Sequence, residues 1–181
     1  MTVTSYPLFN PPNSLSEKSH RDWSKAEAEE YSRWLIRSID DRTDDLLHYF
    51  SVDASAWEPR ALLLRLGALV AERLGEAEFS ECKPDGARSL TNAGHALAAD
   101  LGLLTARLLL QASGGTIRWE VVRKPKSDTS FNLPVLAGFS NKLTLDPVGG
   151  AVAEAQAVLA GRRSGDAWAR ILAFWGSLAV G

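Results

Sequence analysis

Two polar side chains interrupt an apolar run in the middle of the sequence, and they are the first candidates for chemistry. His95 and Asp100 lie within residues 93–110, and a buried ionisable group must find a partner or change its pKa. Their separation puts them about 140° apart on an ideal helix, whereas two metal ligands on one helix need a spacing of four. We therefore predict no metal site here. Asp100 is expected to accept hydrogen bonds inside the fold, and His95 to lie at the helix edge.

A polar loop at residues 123–134 is the second candidate. Binding residues concentrate on polar loops that a rigid frame carries, and this stretch is too polar and too rich in proline to extend a strand. A solvated hairpin tip is the alternative interpretation. No glycine-rich phosphate cradle accompanies its lysines. Recognition of a ligand would use the charged and amide side chains of the loop, which are Arg123, Lys124, Lys126, Asp128 and Asn132.

A run of carboxylates is the third candidate. Arg42 is the one basic residue among four aspartates within six positions, and such a run is often a solvated helix face. The sharper interpretation is a docking surface for a basic partner, since complementary charge at an interface mainly raises the association rate. The residues of this acidic surface are Asp40, Asp41, Asp44 and Asp45.

The sequence contains no recognisable catalytic arrangement. Its single cysteine, Cys82, excludes an internal disulfide and a cysteine-based zinc site, and is typical of a reducing cytoplasm. The three histidines lie far from it in the sequence, whereas a reactive cysteine needs a nearby base and a tuned pocket. We therefore predict no catalytic residue, no metal and no cofactor, and we lean towards a protein that is not an enzyme.

Helix-start signals indicate which elements position these candidates. Ser24 and Glu27 form a capping box before an apolar stripe that runs to about residue 50. Ser55 and Glu58 have the same spacing, and Pro59 would occupy the first turn of a second helix that ends near residue 74. Residues 76–88 then form an exposed connection, with a short strand at 77–82.

The central helix, capped by Thr91 or Asn92, is apolar on most faces and should be the packing centre of the domain. Gly94 and Gly102 weaken it intrinsically, so we expect them to permit close contact with neighbouring elements. Residues 116–123 alternate as a half-buried strand, with residues 134–139 as its hairpin partner. Asp146 as N-cap, with proline after it, begins another helix, and residues 165–180 form the last one.

Length and composition fit one ordinary globular domain spanning residues 1–181, with residues 1–20 as an extended, proline-rich arm. The chain has 181 residues, 45% apolar and 23% charged, with a net charge of −2. That charge gives no general attraction to nucleic acid or anionic lipid. The N-terminus lacks the pattern of a secretory signal, and the apolar run at residues 101–110 is too short to span a bilayer. We expect a cytoplasmic protein that binds neither nucleic acid nor membrane.

A set of short motifs resembles those of small uncharacterised bacterial α+β proteins and covers about half of the chain. Some proteins of this kind neutralise a toxin made by the same cell, so the resemblance implies an α+β architecture and an immunity-type role. It identifies no functional residue. The motifs are Asp100-Leu101-Gly102-Leu103, Ile117-Arg118-Trp119-Glu120, Asn132-Leu133-Pro134-Val135-Leu136, Gly138-Phe139 and Leu145-Asp146-Pro147.

Together these patterns predict a mainly helical α+β domain, with about five helices around a small antiparallel hairpin or sheet. The first functional hypothesis is a non-catalytic cytoplasmic binding protein, such as an immunity protein, whose acidic surface blocks a basic toxin domain. The alternative is a small enzyme or ligand-binding protein with a pocket between the central helix and the hairpin, using Asp100 or His95 with Arg123 or Lys126. A structural role in a larger assembly is a third hypothesis.

Overall fold

The computed structural model describes residues 5–179, apart from the side chain of Ser16. The first four residues of the predicted arm and the end of the last predicted helix lie outside this range. Within residues 5–179, six α-helices and two antiparallel two-stranded sheets confirm the predicted mainly helical α+β class. In chain order these elements are α1 Asn13–Ser16, α2 Lys25–Tyr49, α3 Pro59–Arg73, β1 Ser80–Cys82, β2 Arg88–Leu90, α4 Asn92–Ala112, β3 Arg118–Val121, β4 Pro134–Ala137, α5 Pro147–Leu159 and α6 Ala167–Ala179.

The N-terminal arm is extended over only part of its described length. Residues 5–12 have no regular secondary structure, but α1 then makes one helical turn in which the Leu15 N–H donates to the Pro12 carbonyl at 2.9 Å. The prediction of a fully extended arm was wrong at this point. The prolines precede the turn, where their missing N–H groups remove no helical hydrogen bond.

The first capping prediction is confirmed, and the second is wrong. Ser24 Oγ accepts the Glu27 N–H while the Glu27 carboxylate accepts the Ser24 N–H at 2.8 Å, which closes the capping box of α2. At α3, Glu58 is the N-cap but its side chain makes no capping bond. Ser55 instead belongs to a short 3₁₀ turn, because the Asp53 carboxylate accepts both its N–H and its O–H.

The central helix, α4, packs against α2, α3, α5 and α6. Thr91 caps it by accepting the Gly94 N–H at 3.1 Å. An ideal Cβ would lie 2.0 Å from the Phe79 carbonyl oxygen at Gly94 and 2.2 Å from the Pro147 carbonyl oxygen at Gly102. The predicted close contacts at both glycines are therefore confirmed. By length and composition alone α4 is long and apolar enough to cross a membrane. Most of it is buried inside the protein, however, and helices in a protein core have the same length and composition.

Both sheets are short hairpins. Strands β3 and β4 pair as predicted, with Arg118 opposite Ala137 and all four residues of β4 buried. Strands β1 and β2 form a second hairpin. The short strand predicted at 77–82 is confirmed by β1, whereas β2 begins at residue 88, where the exposed connection was predicted to end. The Lys83 N–H donates to the Ala87 carbonyl at 2.8 Å, and Gly86 has a φ of 82° that glycine adopts without strain. The turn signal in this segment therefore marked a hairpin.

Candidate functional site

Asp100 lies at the centre of a fully buried polar network. Arg42 of α2 donates from Nε and Nη2 to its two carboxylate oxygens at 2.8 and 2.6 Å, and the Tyr6 hydroxyl donates at 2.6 Å. The bidentate geometry makes this a strong ion pair, and the hydroxyl adds a charge-assisted hydrogen bond. The prediction that Asp100 accepts hydrogen bonds inside the fold is confirmed.

This network fastens the N-terminal arm to the helices. Arg42 also donates to the Pro7 carbonyl at 2.9 Å and the Leu8 carbonyl at 3.2 Å, and its guanidinium carbon lies 4.2 Å from the centre of the Phe9 ring. The Tyr6 ring is buried in edge-to-face contact with Tyr49 and Phe79, with centroids 5.0 and 6.0 Å away. These contacts hold residues 6–9 against the body of the protein, so the network acts as an anchor for the arm.

Burial raises the pKa of Asp100 to about 6, although the hydrogen bonds and charge of Arg42 and the bond from Tyr6 lower it. Burial also raises the pKa of the Tyr6 hydroxyl far above its usual value, with a further contribution from the neighbouring charge of Asp100. A carboxyl whose donors are both buried protein groups is not available to a bound ligand. The structure therefore gives Asp100 a structural role in place of the predicted ligand contact.

The Asp100 carboxyl should make stability depend on pH with a defined sign. Because its pKa is higher in the folded chain than in the unfolded chain, the stabilisation from its protonation is lost as the pH rises from about 4 to about 6. We expect the unfolding free energy of the native protein, relative to that of an Asp100→Asn variant, to fall as the pH rises over this interval. Urea unfolding at a series of pH values measures it. A relative stability of the native protein that rises with pH would mean that Arg42 lowers the pKa of Asp100 by more than burial raises it.

The loop candidates divide into a bonded pair and an exposed tip. Asn132, at a φ of 68°, accepts a hydrogen bond from Arg123 Nη1 and donates its amide to the carbonyls of His20 and Trp23 at 2.7 and 2.9 Å. It therefore fixes the segment before α2 to the loop. This is a tertiary role that sequence spacing did not indicate, because His20 and Trp23 lie more than 100 positions away.

The other loop side chains do not converge on one point. Lys124 and Lys126 are exposed, and neither side chain makes an ion pair among the described residues. The Asp128 carboxylate accepts the Ser130 N–H at 2.8 Å, which stabilises a local turn. The structure thus brings together Arg123 and Asn132 only, and it leaves the two lysines at a solvated tip.

All four aspartates of the acidic surface are exposed on α2. Arg107 of α4 approaches two of them, with nitrogen to oxygen distances of 3.7 Å to Asp40 and 3.4 Å to Asp44, and donates to Thr43 Oγ1 at 2.7 Å. Asp41 and Asp45 make no ion pair in the part of the chain that the structure describes. Exposed pairs at these distances are weak, so the surface keeps most of its negative charge.

An apolar cleft lies away from the predicted pocket. It has a volume of about 580 Å³ and separates the arm from α2, α4 and α5. Its walls are mainly apolar and aromatic, and they include Phe9, Tyr31 and Trp34. His95, which was predicted to lie at the helix edge, is exposed and also lines this cleft. Neither Asp100 nor Arg123 nor Lys126 lines it. This cleft is therefore not the predicted pocket between the central helix and the hairpin, although His95, one of the residues predicted for that pocket, lines it.

Among the described residues, no three side chains of histidine, cysteine, aspartate or glutamate are placed to hold a metal ion. Cys82 is exposed on β1. Comparisons of the chain with protein-family models, with curated proteins and with solved structures find no match. The geometry of the described residues is thus the basis for assigning a function.

Proposed function

We propose that this protein is a non-catalytic binding protein whose acidic surface on α2 contacts a basic protein partner. The observation that carries the proposal is that Arg42, the one basic residue within the run, points inward and is used by Asp100. Its charge is absent from the surface. Arg107 is then the only cation paired with the four aspartates among the described residues.

The position of the surface favours fast and specific association. The aspartates occupy consecutive turns of a long helix whose inner face is held by the buried Arg42 pair, so little ordering is needed when a partner binds. Complementary charge steers the encounter of two proteins and falls off with added salt. An immunity protein that neutralises a basic toxin domain in the cytoplasm is the specific form of this role that the motif resemblance suggests.

The test pairs the protein with the product of the reading frame adjacent to its own gene. We expect the combined reversal Asp40→Lys, Asp41→Lys, Asp44→Lys and Asp45→Lys to slow association by about tenfold or more at low salt. Stopped-flow fluorescence measures the rate. A matched control makes the same charge change at exposed carboxylates elsewhere: Glu17, Asp22, Glu72 and Glu81. Equal rates for the native protein and the first variant, or equal slowing in both variants, would contradict the proposal.

A small-ligand-binding protein is the second candidate function, and the aromatic cleft favours it. A volume of about 580 Å³ lies within the range of small-molecule sites. Its walls offer Phe9 and Trp34, whose rings are 6.0 Å apart, and His95 supplies a polar group at the edge. If charge reversal of the acidic surface leaves the association rate unchanged, this candidate is favoured over the first.

A further inference from the structure

A second, smaller groove adjoins the acidic surface. It has a volume of about 340 Å³ and lies between the end of α2, the start of α3 and the outer side of α4. Leu47, Leu62, Leu104 and Leu108 form its apolar floor and walls. Trp57 also lines the groove and is 45% exposed, one of the few large apolar side chains in the described residues that solvent reaches so freely.

Arg107 connects the groove to the acidic surface. Arg107 lines the groove and also approaches the Asp44 carboxylate at 3.4 Å. Leu47 lies three positions after Asp44 on α2, so the apolar wall begins one helical turn beyond the carboxylates. Two exposed carboxylates, Asp53 and Glu58, lie close to Trp57 in the sequence. An apolar centre containing a tryptophan, with a charged rim, is the usual anatomy of a protein interface.

We propose that this groove, which we call the Trp57 groove, seats a large apolar side chain of a basic amphipathic protein segment. The lysines or arginines of that segment would face Asp40 and Asp44. This inference rests on the proposed function. It adds the site at which the partner is anchored and the basic, amphipathic character of the partner segment. Trp57 then supplies the short-range apolar contact, and the carboxylates supply steering and orientation.

The negative charge beside the groove disfavours two other occupants. A second copy of this chain related by a two-fold axis would bring the same carboxylates face to face, which opposes association. An anionic membrane would be repelled by the same rim. A basic segment instead gains favourable contacts from the rim and the groove together.

The test uses a fluorescein-labelled peptide of leucine and lysine, about four helical turns long and amphipathic, with fluorescence anisotropy as the readout. We expect Trp57→Ser to weaken binding about tenfold or more. Asp40→Lys with Asp44→Lys should also weaken binding and reduce its salt dependence. The control is Phe174→Ser, because Phe174 on α6 is similarly exposed, at 56%, and does not line the groove. Thermal unfolding verifies that each variant is folded.

The outcomes separate this inference from the proposed function. Binding that survives Trp57→Ser but is lost in the Asp40→Lys, Asp44→Lys variant would overturn the groove proposal and leave the acidic surface intact. Insensitivity to both changes would contradict both proposals. Equal weakening by Phe174→Ser, or equally tight binding of a peptide with glutamate in place of lysine, would show unspecific apolar adsorption and would also overturn the inference.

Discussion

Replacing Arg42 with methionine is expected to lower the free energy of unfolding by about 3–5 kcal/mol at pH 7. The change leaves the Asp100 carboxylate, which is fully buried, without its charged partner. It also removes the donors to the Pro7 and Leu8 carbonyls, so the arm loses part of its anchor. Urea unfolding followed by tryptophan fluorescence measures the loss. The loss should be smaller at pH 5, because without Arg42 the pKa of Asp100 rises further and the group is then protonated.

Two further variants identify the unpaired charge as the cause. Arg33→Met removes an exposed arginine from the same helix and should change stability by no more than about 0.5 kcal/mol. Adding Asp100→Asn to Arg42→Met removes the stranded carboxylate and should recover part of the loss. A double variant as unstable as Arg42→Met alone, at every pH, would show that the lost packing of the arginine dominates.

For the buried network, the sequence predicted that Asp100 would be hydrogen-bonded but did not identify its donors. A polar residue in an apolar run had to be hydrogen-bonded, and Asp100 is. Its donors were not identified, because Tyr6 and Arg42 lie 94 and 58 positions away in the sequence. Arg42 was placed with the acidic surface because its neighbours in the sequence are aspartates. Its spacing, three residues after Ile39 and four before Leu46, places it on the buried stripe of α2, and this signal was not used.

Predictions that depended only on residues within one helical turn of each other were the most reliable. The capping box at Ser24 and the N-cap at Asp146 involve groups within three residues of each other, so the local sequence determines them. The same rule failed at Ser55, where the competing acceptor, Asp53, lies only two residues away. A local motif therefore predicts a cap only when no nearer acceptor exists.

Sites built from distant segments were not predictable. The aromatic cleft takes its walls from the arm and three helices, and the Trp57 groove from α2, α3 and α4. No spacing rule connects such residues, since tertiary packing alone brings them together. The acidic surface was found because all its residues belong to one helix. The candidate sites thus differ in predictability according to how many segments contribute to them.

Replacing Gly102 with alanine is expected to lower the free energy of unfolding by about 1–3 kcal/mol, as overpacking of a core typically does. The new Cβ would lie 2.2 Å from the Pro147 carbonyl oxygen and 2.8 Å from the Ala151 Cβ. Both belong to α5, so the helix must move away from α4, against which it packs closely. The gain of about 1 kcal/mol in helix propensity opposes this loss. Urea unfolding measures the net effect.

Gly176→Ala is the matched control, because it makes the same change inside α6 without the close contact. The nearest atom to its new Cβ is Leu109 Cδ2, at 4.0 Å, which is an ordinary contact distance. Helix propensity then acts alone, and the variant should be more stable by about 0.5–1 kcal/mol. Changes of opposite sign would attribute the requirement for glycine at position 102 to the approach of α5. Changes of the same sign and size would show instead that α5 moves to accommodate the new Cβ without a loss of stability.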